Sequence, residues 1–155
     1  MTSAKQPDAE ATALWLEMFR KMVRIRHFER AAFELYTAGK LPGFMHISIG
    51  QEATAVGTCS ALRPDDYMTS THRGHGDTIA KGVSVEAAMA ELFGKVTGTC
   101  RAKGGSMHIA DFSQNIMGAN GIVAAGAPIA TGAAGCPPTI AAATPPAVSA
   151  SVTHR

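Results

Sequence analysis

The five consecutive residues His72-Arg73-Gly74-His75-Gly76, with Asp77 directly after them, carry the densest chemistry in this sequence. Arginine offers a planar fork of donors that suits phosphate oxygens. Imidazole exchanges protons near neutral pH, and glycine lets a backbone come close to a ligand. Together they describe a loop that could grip an anion and handle a proton beside it. Two other stretches share this character. One is Gly43-Phe44-Met45-His46; the other is Asn120-Gly121-Ile122-Val123, preceded by Gly104-Gly105-Ser106-Met107-His108. A metal site built from His72, His75 and His108 would need carboxylate or thiolate company at ligand spacing, and none stands out. There is no Walker-type phosphate loop, no dinucleotide-binding glycine fingerprint and no nucleophile elbow.

The elements that must position these loops follow from periodicity. Residues 10–38 form one long amphipathic helix in this reading, with Trp15, Phe19, Met22, Ile25, Phe28, Ala32 and Tyr36 recurring every three or four positions. It reads as a core helix, the alternative being one that also packs on a partner subunit. Gly39 and Pro42 end it. Leu41–Gly50 is a loop, and Gln51–Leu62 is a second, alanine-rich helix. Arg63-Pro64-Asp65-Asp66 is a turn leading into a short β-prone segment, Tyr67–Thr71. The His72–Gly76 cluster then falls at the carboxyl end of a strand, where ligands bind in open α/β sheets. Ser84 caps a helix over Val85–Lys95, with Glu86 in its first turn. Thr97–Ser106 is irregular, and Met107–Ala110 reads as a short strand. Asn115–Ala134 is nearly charge-free and glycine-rich, suiting a buried backbone that runs against a ligand and then a small-residue helix from near Pro128.

Composition excludes several classes of function. The 155 residues suffice for one domain with a core, and a formal net charge of +2 gives no basic field for nucleic acid. Cys59, Cys100 and Cys136 are too scattered for a disulfide framework or a zinc site, so a reducing, cytoplasmic setting is expected. Residues 1–10 form a polar tail without the apolar core of a signal peptide, and no stretch has the length of a membrane span. Residues 135–155 hold two proline pairs, alanine, serine and threonine but no acid, and read as a disordered tail foreign to the preceding fold.

Four motifs occurring in one order identify a resemblance. They are Phe44-Met45-His46 leading to Gly50-Gln51-Glu52-Ala53, then Thr71-His72-Arg73-Gly74-His75-Gly76, then Ala102-Lys103-Gly104-Gly105-Ser106-Met107-His108, then Gly118-Ala119-Asn120-Gly121-Ile122-Val123. The chain resembles the N-terminal part of the alpha subunit of thiamine-diphosphate-dependent 2-oxo acid dehydrogenases, over about residues 12–134. The Thr-His-Arg-Gly-His-Gly form and His108-Ile109-Ala110-Asp111 look most like the acetoin-cleaving branch.

The resemblance implies an α/β thiamine-diphosphate-binding fold, a mostly parallel sheet flanked by helices, present in part over residues 11–134. It implies that Arg73 contacts the diphosphate, with His72 beside it where the family usually has tyrosine. It implies that Gly121 and Val123 present backbone groups to the aminopyrimidine ring. His46 and His75 would lie near the reacting carbon as catalytic residues, and Phe44 and His46 would meet the substrate. His108 reads as structural. The implied activity is oxidative decarboxylation of a 2-oxo acid, or cleavage of acetoin, with transfer of the acyl group to a lipoyl carrier. The implied partners are a beta subunit, in a heterotetramer of two alpha and two beta chains, and a lipoyl-bearing acyltransferase. Nucleic acid and membrane are not among them.

The family's magnesium motif, opening Gly-Asp-Gly and closing on paired asparagines, has no match here, and Asp111 is the last carboxylate side chain in the sequence. Magnesium needs hard oxygen ligands, so no magnesium ligand is assigned. Two expectations follow. The tail reads as a frameshifted or truncated reading, and the chain alone is expected to be poorly stable or aggregated. The alternative to an enzyme subunit is a non-catalytic remnant able at most to pack with a beta subunit.

Overall fold

The computed structural model describes residues 8–135 and 148–150. Helix α1 spans Ala9–Thr37 and therefore starts within the expected polar tail. Asp8 caps it, its side chain accepting the Ala11 N–H at 2.8 Å. Helix α2 is Glu52–Ser60, and strand β1 is Tyr67–Thr71, the span read from its β-prone residues. Helix α3, His75–Lys81, was not expected: its first residues lie in the stretch read as a loop. Glycine and histidine are weak helix formers, so propensity hides a short helix that burial stabilises. Helix α4 is Val85–Leu92, with the Ser84 hydroxyl accepting the Ala87 N–H at 3.1 Å as its cap. Helix α5 is Gly126–Gly135, two residues ahead of the expected start at Pro128.

The strands differ from expectation in three places. Met107–Ala110 does not form a strand. The Ala110 N–H goes to the Cys100 Sγ at 3.0 Å, while the Ile109 carbonyl accepts the Ala119 N–H at 2.8 Å. The strand lies instead at Ile116–Asn120, β2, inside the glycine-rich segment. Val148–Ala150 forms a third strand, β3, inside the span expected to be a disordered tail; the rest of that tail beyond Gly135 lies outside the described residues. The strand order is β2-β1-β3, all parallel. This is the partial parallel α/β sheet expected from the resemblance.

The core gathers Ile25, Phe28 and Ala32 of α1, Val56 and Cys59 of α2, Met68 of β1, Ile79 of α3 and Leu92 of α4. It buries only the C-terminal half of the expected α1 stripe. Trp15 and Phe19 remain 56% and 59% exposed, while Met18 and Met22 on the same helix pack partly against the core. Among the described residues no helix is long and apolar enough to cross a membrane.

Candidate functional site

Parallel pairing brings the ends of β1 and β2 side by side. Thr71 is in register with Asn120, so the residues that follow, His72-Arg73 and Gly121, leave the sheet from adjacent strand ends. The close approach of these segments depends on small residues. A Cβ on Gly74 would sit 2.8 Å from the Ala119 Cβ and 2.9 Å from the Ser70 Oγ. Asn120 shapes the second turn, its Oδ1 accepting the Ile122 N–H at 2.8 Å. Thr69 fastens the start of α5 to β1 by donating to the Gly126 carbonyl at 3.3 Å.

The loop after α1 closes over these strand ends. Arg73 Nη1 donates to the Ile47 carbonyl at 2.5 Å. The His46 and His72 rings meet edge to face, with centroids 5.1 Å apart and planes at 87°. The Nδ1 atoms of both rings are buried with no hydrogen-bond partner. A buried ring nitrogen without a partner is costly unless something polar reaches it. Burial lowers the His46 pKa, and the neighbouring His72, Arg73 and His75 lower it further. His46 therefore stays neutral to more acidic pH than a free imidazole and keeps a lone pair for a proton.

His75 begins α3 and is fully buried. Its Nδ1 lies 3.1 and 3.2 Å from the two Glu29 carboxylate oxygens, and its Nε2 lies 2.9 Å from the Ser106 Oγ. Ser48 Oγ donates to Glu29 Oε1 at 2.6 Å, and the His46 N–H reaches Ser106 Oγ at 3.3 Å. One assignment of donors that satisfies this chain is the following. Nδ1–H gives to Glu29, the Ser106 hydroxyl gives to Nε2, and the Ser106 oxygen accepts from His46. A Cβ on Gly76 would press to 3.0 Å from the Ser48 Oγ, so that glycine keeps α3 against the network.

Among the expected site residues, His46, His72, Arg73 and His75 are thus brought together. Both ring nitrogens of His75 are engaged within the chain. Gly121 stands at the adjacent strand end, near the His108 ring: a Cβ there would lie 3.6 Å from the His108 Nε2. Phe44 and Val123 are at the surface, 78% and 72% exposed. Two open grooves flank α1, of about 520 and 380 Å³, and neither is lined by His46, His72, Arg73 or His75. Among the described residues no group of three or more His, Cys, Asp or Glu is placed to hold a metal ion.

Sequence reasoning missed Glu29, Ser48, Glu91 and the linking role of Ser106. Glu29 carried a signal, being a carboxylate on the buried stripe of α1 between Ile25 and Ala32. Buried carboxylates demand partners, and a glutamate on an apolar face announces a network. Glu91 is its counterpart on α4, between Ala88 and Leu92. Burial opposes its ionisation, yet backbone N–H groups of Gly104, Gly105, Cys100 and Ala102 outweigh that and lower its pKa.

The profile of the dehydrogenase E1 component family matches residues 20–138. The alpha subunit of acetoin:2,6-dichlorophenolindophenol oxidoreductase from Bacillus subtilis is 54% identical over 125 residues, covering 81% of this chain and 37% of that protein. Its counterpart from Cupriavidus necator is 49% identical over 138 residues, 86% of this chain and 41% of that protein. Pyruvate dehydrogenase E1 component subunit alpha-3, chloroplastic, from Arabidopsis thaliana is 44% identical over 119 residues, 77% of this chain and 28% of that protein. The chain therefore spans well under half the length of these relatives.

Proposed function

This chain belongs to the dehydrogenase E1 component family, and from that premise we propose that it is part of the alpha subunit of a thiamine-diphosphate-dependent enzyme. That enzyme oxidatively decarboxylates a 2-oxo acid or cleaves acetoin, and passes the acyl group to a lipoyl carrier. The observation that carries the reading is the meeting of His72-Arg73 and Gly121 at the carboxyl ends of two parallel strands, under a loop that brings His46 to the same place. Higher identity to the two acetoin-acting relatives favours acetoin over pyruvate.

The residues fit the cofactor. The Arg73 guanidinium has the donor geometry for diphosphate oxygens, and the unpartnered Nδ1 atoms of His46 and His72 offer buried polar contacts. Gly121 presents bare backbone, with Val123 beyond it. Thiamine diphosphate, when bound, supplies the nucleophilic carbon and the electron sink. His46 holds a proton-accepting nitrogen near that place, Phe44 and His46 face the substrate, and His75 acts through Ser106. The described residues offer no acidic cluster for magnesium, so no step is assigned to that ion.

The relatives are named as alpha subunits, which supports a beta-subunit partner. We extend this to a heterotetramer of two alpha and two beta chains serving a lipoyl-bearing acyltransferase. We also propose the reducing, cytoplasmic setting expected from three scattered cysteines. The test is calorimetric titration of the chain with its beta subunit, using thiamine diphosphate and magnesium, followed by acetoin- and pyruvate-dependent dye reduction. The expected result is cofactor binding that weakens about tenfold or more in Arg73→Ala, with turnover of one substrate. Beta-subunit association without cofactor binding would replace this reading with the non-catalytic one.

A further inference from the structure

Glu91 is 1% exposed, and among the described residues it forms no ion pair. Its carboxylate is occupied by backbone instead. Oε2 accepts the N–H groups of Cys100 and Ala102 at 2.9 and 3.0 Å, and Oε1 accepts those of Gly104 and Gly105 at 2.8 and 3.1 Å. The backbone between them is bent to suit. Arg101 and Ala102 adopt φ of 53° and 68°, a region non-glycine residues rarely occupy. Space is equally constrained, since a Cβ on Gly98 would collide with Glu91 itself and one on Gly104 with the His108 carbonyl. One carboxylate is thus the centre around which residues 98–105 are wound. The next residue is Ser106, whose Oγ links His75 to His46.

We propose that Glu91 is a positioning residue of the site: its carboxylate holds the 98–105 loop closed and so fixes the Ser106 hydroxyl between His75 and His46. The proposal rests on the function proposed above for its catalytic consequence, and on the loop geometry alone for its structural one. Charge matters because hydrogen bonds to an ionised acceptor are the stronger kind, and more so where water is excluded. Glutamine has the same shape but one acceptor oxygen, and its amide group would turn N–H toward backbone N–H at the other position.

The experiment uses the chain in complex with its beta subunit, and compares Glu91→Gln, Ser106→Ala and the double variant. In E91Q, amide hydrogen exchange at Cys100, Ala102, Gly104 and Gly105 should quicken by about tenfold or more. In S106A those amides should stay protected. The His46 amide should exchange faster in both variants, because each removes the placed Ser106 acceptor. The rate kcat should fall about tenfold in either single variant with KM changed less than about twofold, and the double variant should be no slower than S106A. Unchanged exchange at the four loop amides in E91Q, an unchanged His46 amide, or additive losses of kcat would each overturn the proposal. Should E91Q yield no folded complex, Glu91→Asp keeps the charge and retracts it by one methylene; normal protection of the loop in E91D would likewise overturn it. Exchange is read without turnover, so a wild-type complex inert toward both substrates would sink the proposed function while leaving the Glu91 clamp to stand or fall on its own data.

Discussion

His46 concentrates the chemistry expected of this chain at the scale of one residue. Burial and the neighbouring His72, Arg73 and His75 depress its pKa, so protonation, which would remove its free lone pair, is postponed to lower pH. If His46 accepts a proton during turnover, activity rises with pH as the ring becomes neutral. The acid limb of the kcat profile should therefore lie below the ordinary imidazole value of 6.5. His46→Gln should lose about a hundredfold in kcat together with that limb. A limb at or above the ordinary value, or full activity in H46Q, would remove His46 from the mechanism. The residue types themselves were legible in the sequence, since imidazole beside guanidinium and glycine suggests anion and proton handling wherever it occurs. The pairing of Glu29 and Ser106 was not, because their shared partner His75 lies 46 and 31 positions from them in sequence.

At the scale of elements, the site depends on how closely β1, β2 and the start of α3 approach one another. Gly74 is the point of closest packing, with Ala119 and Ser70 where its side chain would be, and the Thr71 carbonyl 3.1 Å away. Gly74→Ala should destabilise the chain by about 1–3 kcal/mol through overpacking. It should also weaken thiamine diphosphate binding by pushing the two strand ends apart. Thermal denaturation and calorimetry with the beta subunit would check both effects, and an unshifted midpoint would show that β2 yields without cost. The helices α1, α2 and α4 were readable because periodicity and caps such as Ser84 are local signals. Strand β2 was not, because Ile116-Met117-Gly118-Ala119-Asn120 has one β-branched residue and a glycine, and pairing with β1 makes it a strand. The short strand expected at Met107–Ala110 failed for the converse reason: Cys100 and Ala119 take its backbone groups singly.

At the scale of the whole molecule, two features govern behaviour in solution. Leu14, Trp15, Leu16 and Phe19 on α1 are each at least half exposed, a run of apolar surface larger than scattered surface residues explain. The chain alone is therefore expected to associate, with light scattering that rises with concentration and falls when a beta subunit is added. A soluble monomer with a cooperative thermal transition would contradict this. The second feature is the Arg26–Glu52 pair that ties α1 to α2. Arg26 Nε and Nη2 meet Glu52 Oε1 and Oε2 at 2.5 and 2.9 Å, and Gly50 N–H adds to the carboxylate. The Arg26 hydrogen bond leads in pulling the Glu52 pKa from 4.5 to about 2. A carboxylate with a depressed folded pKa contributes its full stability above its unfolded value and loses it as pH falls toward the folded one. Stability should thus decline between pH 4.5 and about 2, by on the order of 1–2 kcal/mol given the partly exposed arginine, and Glu52→Gln should flatten that decline.

The sequence by itself determined which chemistry is carried, where the principal helices and β1 lie, and to which family the chain belongs, because residue type, periodicity and ordered motifs are local properties. Only the tertiary structure decided that Thr71 stands beside Asn120, that Glu29, His75, Ser106 and His46 form one network, and that Glu91 is the centre of a loop. The physical reason is that a buried carboxylate or imidazole must be satisfied by whatever the fold brings to it. Strand register and helix crossing, which sequence spacing does not express, choose that partner.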